Sequence, residues 1–346
     1  MRLYAVTIEP ISGLGTPLKG DTLFGQFCWE VVWDSSLVEG GLETQLTVYH
    51  EKPFVIFSSA FPRLKSENDQ FVCALKKPAL PPPMQSFSDN AHRMETLKAH
   101  KEEKKKQWVV YEFDSGPMDP EGMKALNEQE LFQMCRVDDL EIEGSLFWDI
   151  SSFYLNAPQL HNTINRLTST TGEPPFSPYN LQVGYYAPGV ELVVFILLDE
   201  SATDIERVTK GLKRMGNFGF GRDASTGMGR FRVKDTKELT IPVADMEHAC
   251  YVLAPCVPEQ GQFQEYFFTP FVRFGRHGGN LARGENPFKN PIIMADEGAV
   301  FVPAEGIDFE KPYIGRAVKN VSKAEPNTVV QGYAPFLPLI MRSCPW

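Results

Sequence analysis

A glycine-rich segment at residues 216–233 constrains the fold of this chain more than any other feature. Five glycines are interleaved there with three arginines, between a helical pattern over 202–215 and a strand pattern over 230–234. Glycine accepts positive φ angles and lets a bulky partner approach the main chain closely. Exposed N–H groups and arginines together favour phosphate. The segment therefore predicts a tight basic loop that joins a helix to a strand and binds a phosphate backbone.

The position of this loop excludes the common nucleotide-cofactor folds. Phosphate-binding loops of the P-loop and dinucleotide-binding types run from a strand through the glycines into a helix. Here the order is reversed, and the segment contains no GKS or GKT sequence. A generic glycine-rich enzyme that binds a nucleotide cofactor is therefore disfavoured, and we expect no cofactor.

Regular hydrophobic periodicity recurs in six segments, in the order strand, helix, strand, strand, helix, strand: 3–8, 22–33, 53–61, 190–198, 202–215 and 230–234. Asp21 is predicted as the N-cap of the first helix. The irregular stretch at about 62–180 is too long for a plain loop, so it is predicted to be an insertion with its own elements. The order βαββαβ is that of the ferredoxin-like or RRM-like fold. We predict an α+β chain with such a domain at 1–235.

A second set of strand patterns, separated by glycine and proline turns, fills residues 236–346. We predict a second, β-rich domain there, for which a degenerate second ferredoxin-like unit is one interpretation. No apolar run reaches the length of a membrane span, and no signal peptide is visible. The six cysteines lack CxxC spacing, so we expect free thiols in the cytoplasm and no metal site.

The net charge of −10 is distributed unevenly along the chain. Residues 112–143 hold ten acidic residues against two basic ones, whereas 207–234 hold eight basic residues against one acidic one. Residues 271–289 are basic as well, with four basic residues against one. This pattern suits a protein that holds RNA on one face, while the acidic stretch faces a protein partner or solvent. A lysine run at 98–106 either contacts RNA or is merely solvated.

The glycine loop fits the pattern G-x-G-x-x-x-S-x-G-x-G-x-F at Gly219, Gly221, Ser225, Gly227, Gly229 and Phe231. In a ferredoxin-like frame, this pattern resembles the RAMP superfamily of CRISPR proteins. Four further segments narrow the resemblance to the Cas-five group and to subunit four of the type III-A Csm effector complex: 17–29, 76–83, 161–172 and 289–301. The last of them departs from the usual pattern, with Ala299 where a serine is usual.

The resemblance implies a non-catalytic subunit that binds the repeat-derived 5′ handle of the crRNA. It implies two protein partners, the large polymerase-bearing subunit and the backbone RAMP subunit. A thumb-like hairpin from the insertion is expected to separate the guide from the target RNA near the guide start. The handle sequence and the residues of the thumb do not follow from the chain.

Candidate RNA-binding residues combine glycines, short polar side chains and basic side chains, the groups that contact phosphates, riboses and splayed bases. The first helix offers either a plain cap or a phosphate-binding N-terminus. The candidates are Lys19, Gly20, Thr22, His161, Asn162, Asn165, Arg166, Gly219, Gly221, Arg222, Ser225, Thr226, Gly227, Arg230, Arg273 and Arg276.

One alternative function stays open at this point. A metal-independent RAMP endoribonuclease that processes CRISPR repeat RNA would use His161 or His277 as its general acid or base. A neighbouring lysine or arginine would then stabilise the charge on phosphorus. The six histidines are scattered along the chain and do not favour this reading.

Overall fold

The computed structural model describes residues 1–65, 71–81, 101–113, 116–135, 152–241, 248–307 and 311–341, together with Met94 and Leu97. These residues form several antiparallel sheets and a few helices, which confirms the predicted α+β class. In the ranges described, no helix is long and apolar enough to cross a membrane.

The helices are α1 Gly20–Trp33, α2 Gly41–Val48, α3 Glu128–Cys135 and α4 Ile205–Phe218. The first eight strands are β1 Arg2–Pro10, β2 Val55–Leu64, β3 Val72–Lys76, β4 Trp108–Glu112, β5 Ala125–Leu126, β6 Tyr154–His161, β7 Tyr179–Tyr186 and β8 Leu192–Leu198. The last eight are β9 Phe231–Leu239, β10 His248–Val252, β11 Phe263–Phe267, β12 Pro270–Arg273, β13 Ile292–Ala295, β14 Val300–Pro303, β15 Tyr313–Gly315 and β16 Tyr333–Ile340.

The larger sheet is antiparallel and has the strand order β5-β4-β3-β2-β8-β1-β9. Its central strand β8 is buried along its whole length, because it is apolar at every position and has a paired strand on each side. Helix α1 packs against β2 and α4, and α4 packs against β9. The six predicted segments are all found, so periodicity alone located the elements that frame the site.

The starts of both framing helices differ from the prediction. The carboxylate of Asp204 accepts a hydrogen bond from the N–H of Arg207 at 2.8 Å, so α4 begins at Ile205 instead of 202. Helix α1 begins at Gly20, and the prediction that Asp21 caps it is wrong. Asp21 lies in the first turn, and Lys19 occupies the cap position without a side-chain cap bond.

A five-stranded sheet follows, with the order β11-β14-β10-β16-β15, and all of its strands come from the predicted β-rich region. It shares a continuous apolar core with the larger sheet through residues such as Leu253 and Leu337. The fully buried amide of Gln331 accepts from the N–H of Phe57 at 3.0 Å and donates to the carbonyl of Phe57 at 2.8 Å. The side chain of Gln331 thus supplies hydrogen bonds to β2 beside the register shift between Phe57 and Ala60. It links the larger sheet to the segment that leads into β16 of the five-stranded sheet.

The insertion divides into two parts in the structure. Strands β3, β4 and β5 extend the edge of the larger sheet, whereas β6 and β7 form a separate two-stranded hairpin. The acidic stretch 112–143 and the lysine run 98–106 are described only in part, because Asp114, 136–143 and Lys98 lie outside the described residues. Two lysines of the described run are paired with acids of the same turn, Lys105 with Glu102 and Lys106 with Glu103.

Candidate nucleic-acid interface

The glycine loop is closely packed on its inner side and open on its outer side. Gly229 has a φ of 74°, and a Cβ atom there would lie 2.1 Å from the carbonyl oxygen of Phe220. Gly227 has a φ of 94°, but a Cβ atom there would meet nothing within 4 Å. Both positions need the left-handed backbone that favours glycine, and only Gly229 also needs the missing side chain for space.

Backbone contacts fix this loop onto the segment that leads into α1. The N–H of Gly229 donates to the carbonyl of Gly13 at 2.7 Å, and the N–H of Arg222 donates to Oγ1 of Thr16 at 2.9 Å. Loop 219–229 and residues 11–16 therefore form one anchored unit. Ser225, Thr226 and Gly227 lie exposed at its outer edge, where the N–H groups of Thr226 and Gly227 donate to the carbonyls of Asp223 and Ala224 at 3.0 Å.

The β6–β7 hairpin is attached to the same unit. Leu14 and Gly184 exchange two backbone hydrogen bonds of 2.7 and 3.0 Å. Gly13 lies against the ring of Tyr185, where a Cβ atom would come within 2.6 Å. The hairpin is thus held by the segment that also holds the glycine loop, and the two lie side by side.

Side chains of the hairpin and the loop meet in a small polar cluster, which we call the junction: His161, Tyr179, Arg222 and Asp223. The rings of His161 and Tyr179 stack at 5.4 Å between centroids. Oδ2 of Asp223 lies 3.3 Å from Nε of Arg222 and 4.0 Å from Nε2 of His161. Nη2 of Arg222 also donates to the carbonyl of Gln182. The structure therefore brings the predicted residues His161 and Arg222 together, although 60 residues separate them.

Three buried atoms of the junction make no hydrogen bond within the described part of the chain: Nε2 of His161, Nε of Arg222 and Oδ2 of Asp223. Buried polar groups normally have hydrogen-bond partners. The contact between Arg222 and Asp223 is therefore an electrostatic attraction without a well-directed hydrogen bond. Sequence reasoning missed Tyr179 and Asp223. Tyr179 lies beside His161 because of the pairing register of the hairpin, which the sequence does not show. Asp223 was counted only as the single acid in a basic segment.

The turn that joins β6 to β7 forms the tip of the hairpin and is largely exposed. His161 lies at its base, and the predicted residues Asn162, Asn165 and Arg166 follow in the tip itself. The side chain of Asn165 accepts from the N–H of Leu167 at 2.9 Å, so it shapes the turn. Asn162 and Arg166 are exposed, and Leu167 is 97% exposed. The tip thus presents both polar and apolar side chains to any ligand.

The basic residues of segment 207–234 divide into two groups. Three of the four on α4 are paired with acids of the neighbouring elements: Arg207 with Glu39, Lys210 with Asp34, and Arg214 with Glu30 and Asp34. After the loop, Arg232 and Lys234 pair with Glu9 at 3.9 and 3.2 Å, whereas Arg230 is exposed and donates its backbone N–H to Oγ of Ser12 at 2.8 Å. The basic surface of this segment is therefore narrower than its charge count predicts.

The predicted residues at the start of α1 are engaged within the protein. Nζ of Lys19 pairs with Asp296 and lies 2.6 Å from Oε2 of Glu297. A Cβ atom on Gly20 would lie 2.2 Å from the carbonyl oxygen of Phe57, and Oγ1 of Thr22 donates to the carbonyl of Lys19 at 2.8 Å. Burial raises the pKa of the Glu297 carboxyl. Phosphate binding by this helix N-terminus stays a prediction, and its lysine is already neutralised.

Of the two predicted arginines in the C-terminal region, one is engaged within the protein and the other is exposed. Arg273 binds Asp21 with both ends of its guanidinium, with Nη2 at 2.8 Å from Oδ1, and Asp21 is almost fully buried. Arg276 is exposed, and its guanidinium lies over the ring of Phe288 at 5.6 Å from the centroid. Only Arg276 is therefore placed at the surface.

The other side chains that could act in acid–base chemistry or bind a metal include His277 and the described cysteines, and they point into the protein. His277 is buried and lies 2.7 Å from Oγ of Ser322, and burial lowers its pKa. The five described cysteines are free, and burial raises the pKa of Cys28 to about 12. Among the described residues, no group of three or more His, Cys, Asp or Glu side chains could hold a metal ion.

The fold is that of solved subunits of type III CRISPR-Cas complexes. A chain of the Csm3-Csm4 subcomplex in the type III-A CRISPR-Cas interference complex matches with a TM-score of 0.52 at 14% identity, over 99% of this chain and 100% of that chain. A chain of the Csm1-Csm4 cassette in complex with pppApA matches with a TM-score of 0.50 at 12% identity, over 99% of this chain and 100% of that chain.

The protein named in both of these complexes is Csm4, and the fold of this chain is similar to theirs. No family model matches the sequence. No curated protein matches it significantly either. The likeness therefore lies in the three-dimensional structure and extends over the whole chain.

Proposed function

We propose that this chain is a non-catalytic RNA-binding subunit of a type III CRISPR effector complex and that it binds the 5′ handle of the crRNA. The observation that carries the proposal is the junction, where the glycine loop and the β6–β7 hairpin meet through Arg222, Asp223 and His161. The whole-chain likeness to Csm4 structures supports it. Backbone N–H groups and arginines beside a splaying hairpin are the means by which proteins hold single-stranded RNA.

The arrangement of strands and helices around the glycine loop supports the proposal of an RNA-binding subunit. We infer that β1, α1, β2, β8, α4 and β9 form a ferredoxin-like unit, because its four strands lie in the order β2-β8-β1-β9 with both helices packed together. The glycine loop then lies between the second helix and the last strand of the unit. The boundary near residue 235 and a second ferredoxin-like unit in 236–346 stay predictions.

Each part of the interface has a separate role in the proposal. Ser225, Thr226 and Gly227 form the exposed surface that meets the phosphates, and Arg222 and Arg230 supply positive charge. The exposed tip of the hairpin, with Arg166 and Leu167, is the candidate thumb that separates guide from target RNA near the guide start.

The protein partners are inferred from the similar structures. Because Csm4 forms a cassette with Csm1 and a subcomplex with Csm3, we propose that this chain links the large polymerase-bearing subunit to the backbone RAMP subunit. The type III-A subtype and a cytoplasmic location belong to the same proposal.

The geometry of His161 favours the non-catalytic reading over the endoribonuclease alternative. A general base must reach the 2′-hydroxyl that it deprotonates. Nε2 of His161 is buried and faces Asp223, while the ring stacks on Tyr179. His277, the other candidate, is buried beside Ser322.

Binding of repeat-derived RNA by the purified chain tests the proposal. We expect Arg222→Ala and Arg230→Ala to weaken binding of handle-bearing RNA and to flatten its dependence on salt, since each removes a phosphate contact. Lys210→Ala is the matched control, because it removes one positive charge from α4, outside the residues proposed to contact the RNA. Unchanged affinity and salt slope in both loop variants would refute the loop assignment. Metal-free cleavage of the repeat RNA, lost in His161→Ala, would establish the endoribonuclease instead.

A further inference from the structure

A ribbon of two antiparallel strands in the C-terminal region exposes an apolar face. It comprises residues 270–277 and 287–295, and it contains β12 and β13 with Val272 opposite Ile293. Beyond these strands the pairing continues, with the N–H of Lys289 donating to the carbonyl of Gly275 at 2.8 Å and with a bridge between Arg276 and Phe288. The ribbon is thus one continuous element.

The two faces of the ribbon differ in what covers them. On the inner face, the ring of Phe271 lies below Nζ of Lys19 and the guanidinium of Arg273, each 4.6 Å from its centroid. On the outer face, Phe274 is 75% exposed, Phe288 is 66% exposed and Ile293 is 70% exposed. Val272, Phe274 and Arg276 alternate with the inner residues of their strand, and Ile293 and Phe288 lie opposite Val272 and Arg276 on either side of a one-residue register shift, so all five share the outer face. A face of this kind on a folded chain marks a binding surface.

We propose that the outer face of the ribbon is a base-stacking platform for single-stranded RNA. The rings of Phe274 and Phe288 offer flat surfaces for two bases, and Arg276 lies over one of them. This inference rests on the proposed function, because it takes RNA as the ligand, and it adds a second contact area to the glycine loop.

Charge favours RNA as the occupant over a protein. The chain is acidic as a whole, yet the ribbon and its connecting loop carry the exposed Arg276 and Arg283 against Glu285, once Arg273 is discounted for its pair with Asp21 and Lys289 for its burial. Exposed aromatic rings beside uncompensated arginines are the composition of surfaces that bind single strands without sequence preference.

The ribbon also lies close to the glycine loop along the chain that connects them. Thr16 accepts a hydrogen bond from the loop residue Arg222, and Nζ of Lys19 lies over the ring of Phe271 on the inner face of the ribbon. Two residues separate Thr16 from Lys19, and these three residue steps span at most about 11 Å. An RNA strand that leaves the glycine loop therefore needs only a few nucleotides to reach the ribbon.

Fluorescence anisotropy with a labelled oligouridine of about 12 nucleotides tests the platform, since this length covers a typical single-strand site. The variant Phe274→Ala/Phe288→Ala is expected to bind the RNA at least about fivefold more weakly, with an unchanged salt slope, because stacking involves no counterion release. A ribose-phosphate oligomer without bases should bind both proteins equally. The control is Trp33→Ala, which removes another exposed ring at the end of α1.

The outcomes separate this inference from the proposed function. If the wild-type chain binds the RNA and the double variant binds it equally well, the platform is refuted and the proposed function stands. If the wild-type chain binds no RNA, the proposed function fails as well. A changed oligomeric state of the double variant with unchanged RNA affinity would show that the face covers a second copy instead.

Photo-crosslinking of the wild-type chain keeps the inference testable if the double variant fails to fold. With 4-thiouridine in the RNA, we expect crosslinked peptides from 270–277 or 287–295. Crosslinks confined to the glycine loop and the hairpin would overturn the platform.

Discussion

Two glycine-to-alanine substitutions in the same loop should have different consequences. In Gly227→Ala, the new side chain meets nothing within 4 Å, so the cost is that of placing alanine at a φ of 94°, about 1–2 kcal/mol. In Gly229→Ala, the same conformational cost applies at a φ of 74°, and the Cβ atom would also lie 2.1 Å from the oxygen of Phe220. Overpacking of this kind costs about 1–3 kcal/mol more, for a total of about 2–5 kcal/mol.

Urea unfolding followed by circular dichroism measures this difference directly. Single domains are stable by only about 5–15 kcal/mol, so the Gly229→Ala loss should be visible as a lower midpoint. RNA affinity should follow the same order, because a displaced loop no longer presents Arg222 and Thr226 at the interface. Equal unfolding midpoints for the two variants would refute the conclusion that the inner side of the loop is closely packed while its outer side is open.

Three further predictions concern charged groups. Asp21→Ala should destabilise the protein by about 3 kcal/mol in urea unfolding, because Arg273 is left buried without its partner. Burial raises the pKa of the Glu30 carboxyl above its ordinary value of 4.5. The wild type should therefore lose stability as pH rises above 4.5 and Glu30 ionises, whereas Glu30→Gln should not, so the stability of the variant relative to the wild type should increase between pH 4.5 and 7. Burial lowers the pKa of His277 below 6.5, so stability should fall as pH drops below 6.5, and His277→Gln should lack this fall.

Each of these predictions has its own control. Replacement of both partners in Asp21→Ala/Arg273→Met should cost less than Asp21→Ala alone, since no unpaired charge remains. An equal or larger cost would contradict the role of the ion pair. For Glu30 and His277, pH profiles of unfolding that run parallel to the wild type would show that these groups keep their ordinary pKa values.

Local signals in the sequence identified much of the frame. The apolar run of 190–198 predicted β8 because a strand in the middle of a sheet is buried on both faces. The helical period predicted α4, and the glycines predicted the loop that follows it. These features depend on neighbours in the chain, which a sequence displays directly.

The pairing of charges could not be predicted in this way. Arg273 and Asp21 are 252 residues apart, and nothing near either residue indicates the other. The lysines and arginines of α4 were counted as RNA-facing charge, but acids of α1 and of the turn after it pair with Lys210 and Arg214. The site is therefore smaller than its list of basic residues. The junction was hidden as well, because the hairpin register places Tyr179 beside His161, while Asp223 approaches His161 from the distant glycine loop.

Sequencing of the RNA that co-purifies with this chain and its neighbouring large and backbone subunits tests the central claim most directly. Photo-crosslinking in the same sample identifies the contact. The account predicts RNA whose 5′ end is repeat-derived, crosslinked within 216–230 or at the tip of the β6–β7 hairpin. Co-purified RNA without a repeat-derived 5′ end, or crosslinks of that end only to other subunits, would contradict it.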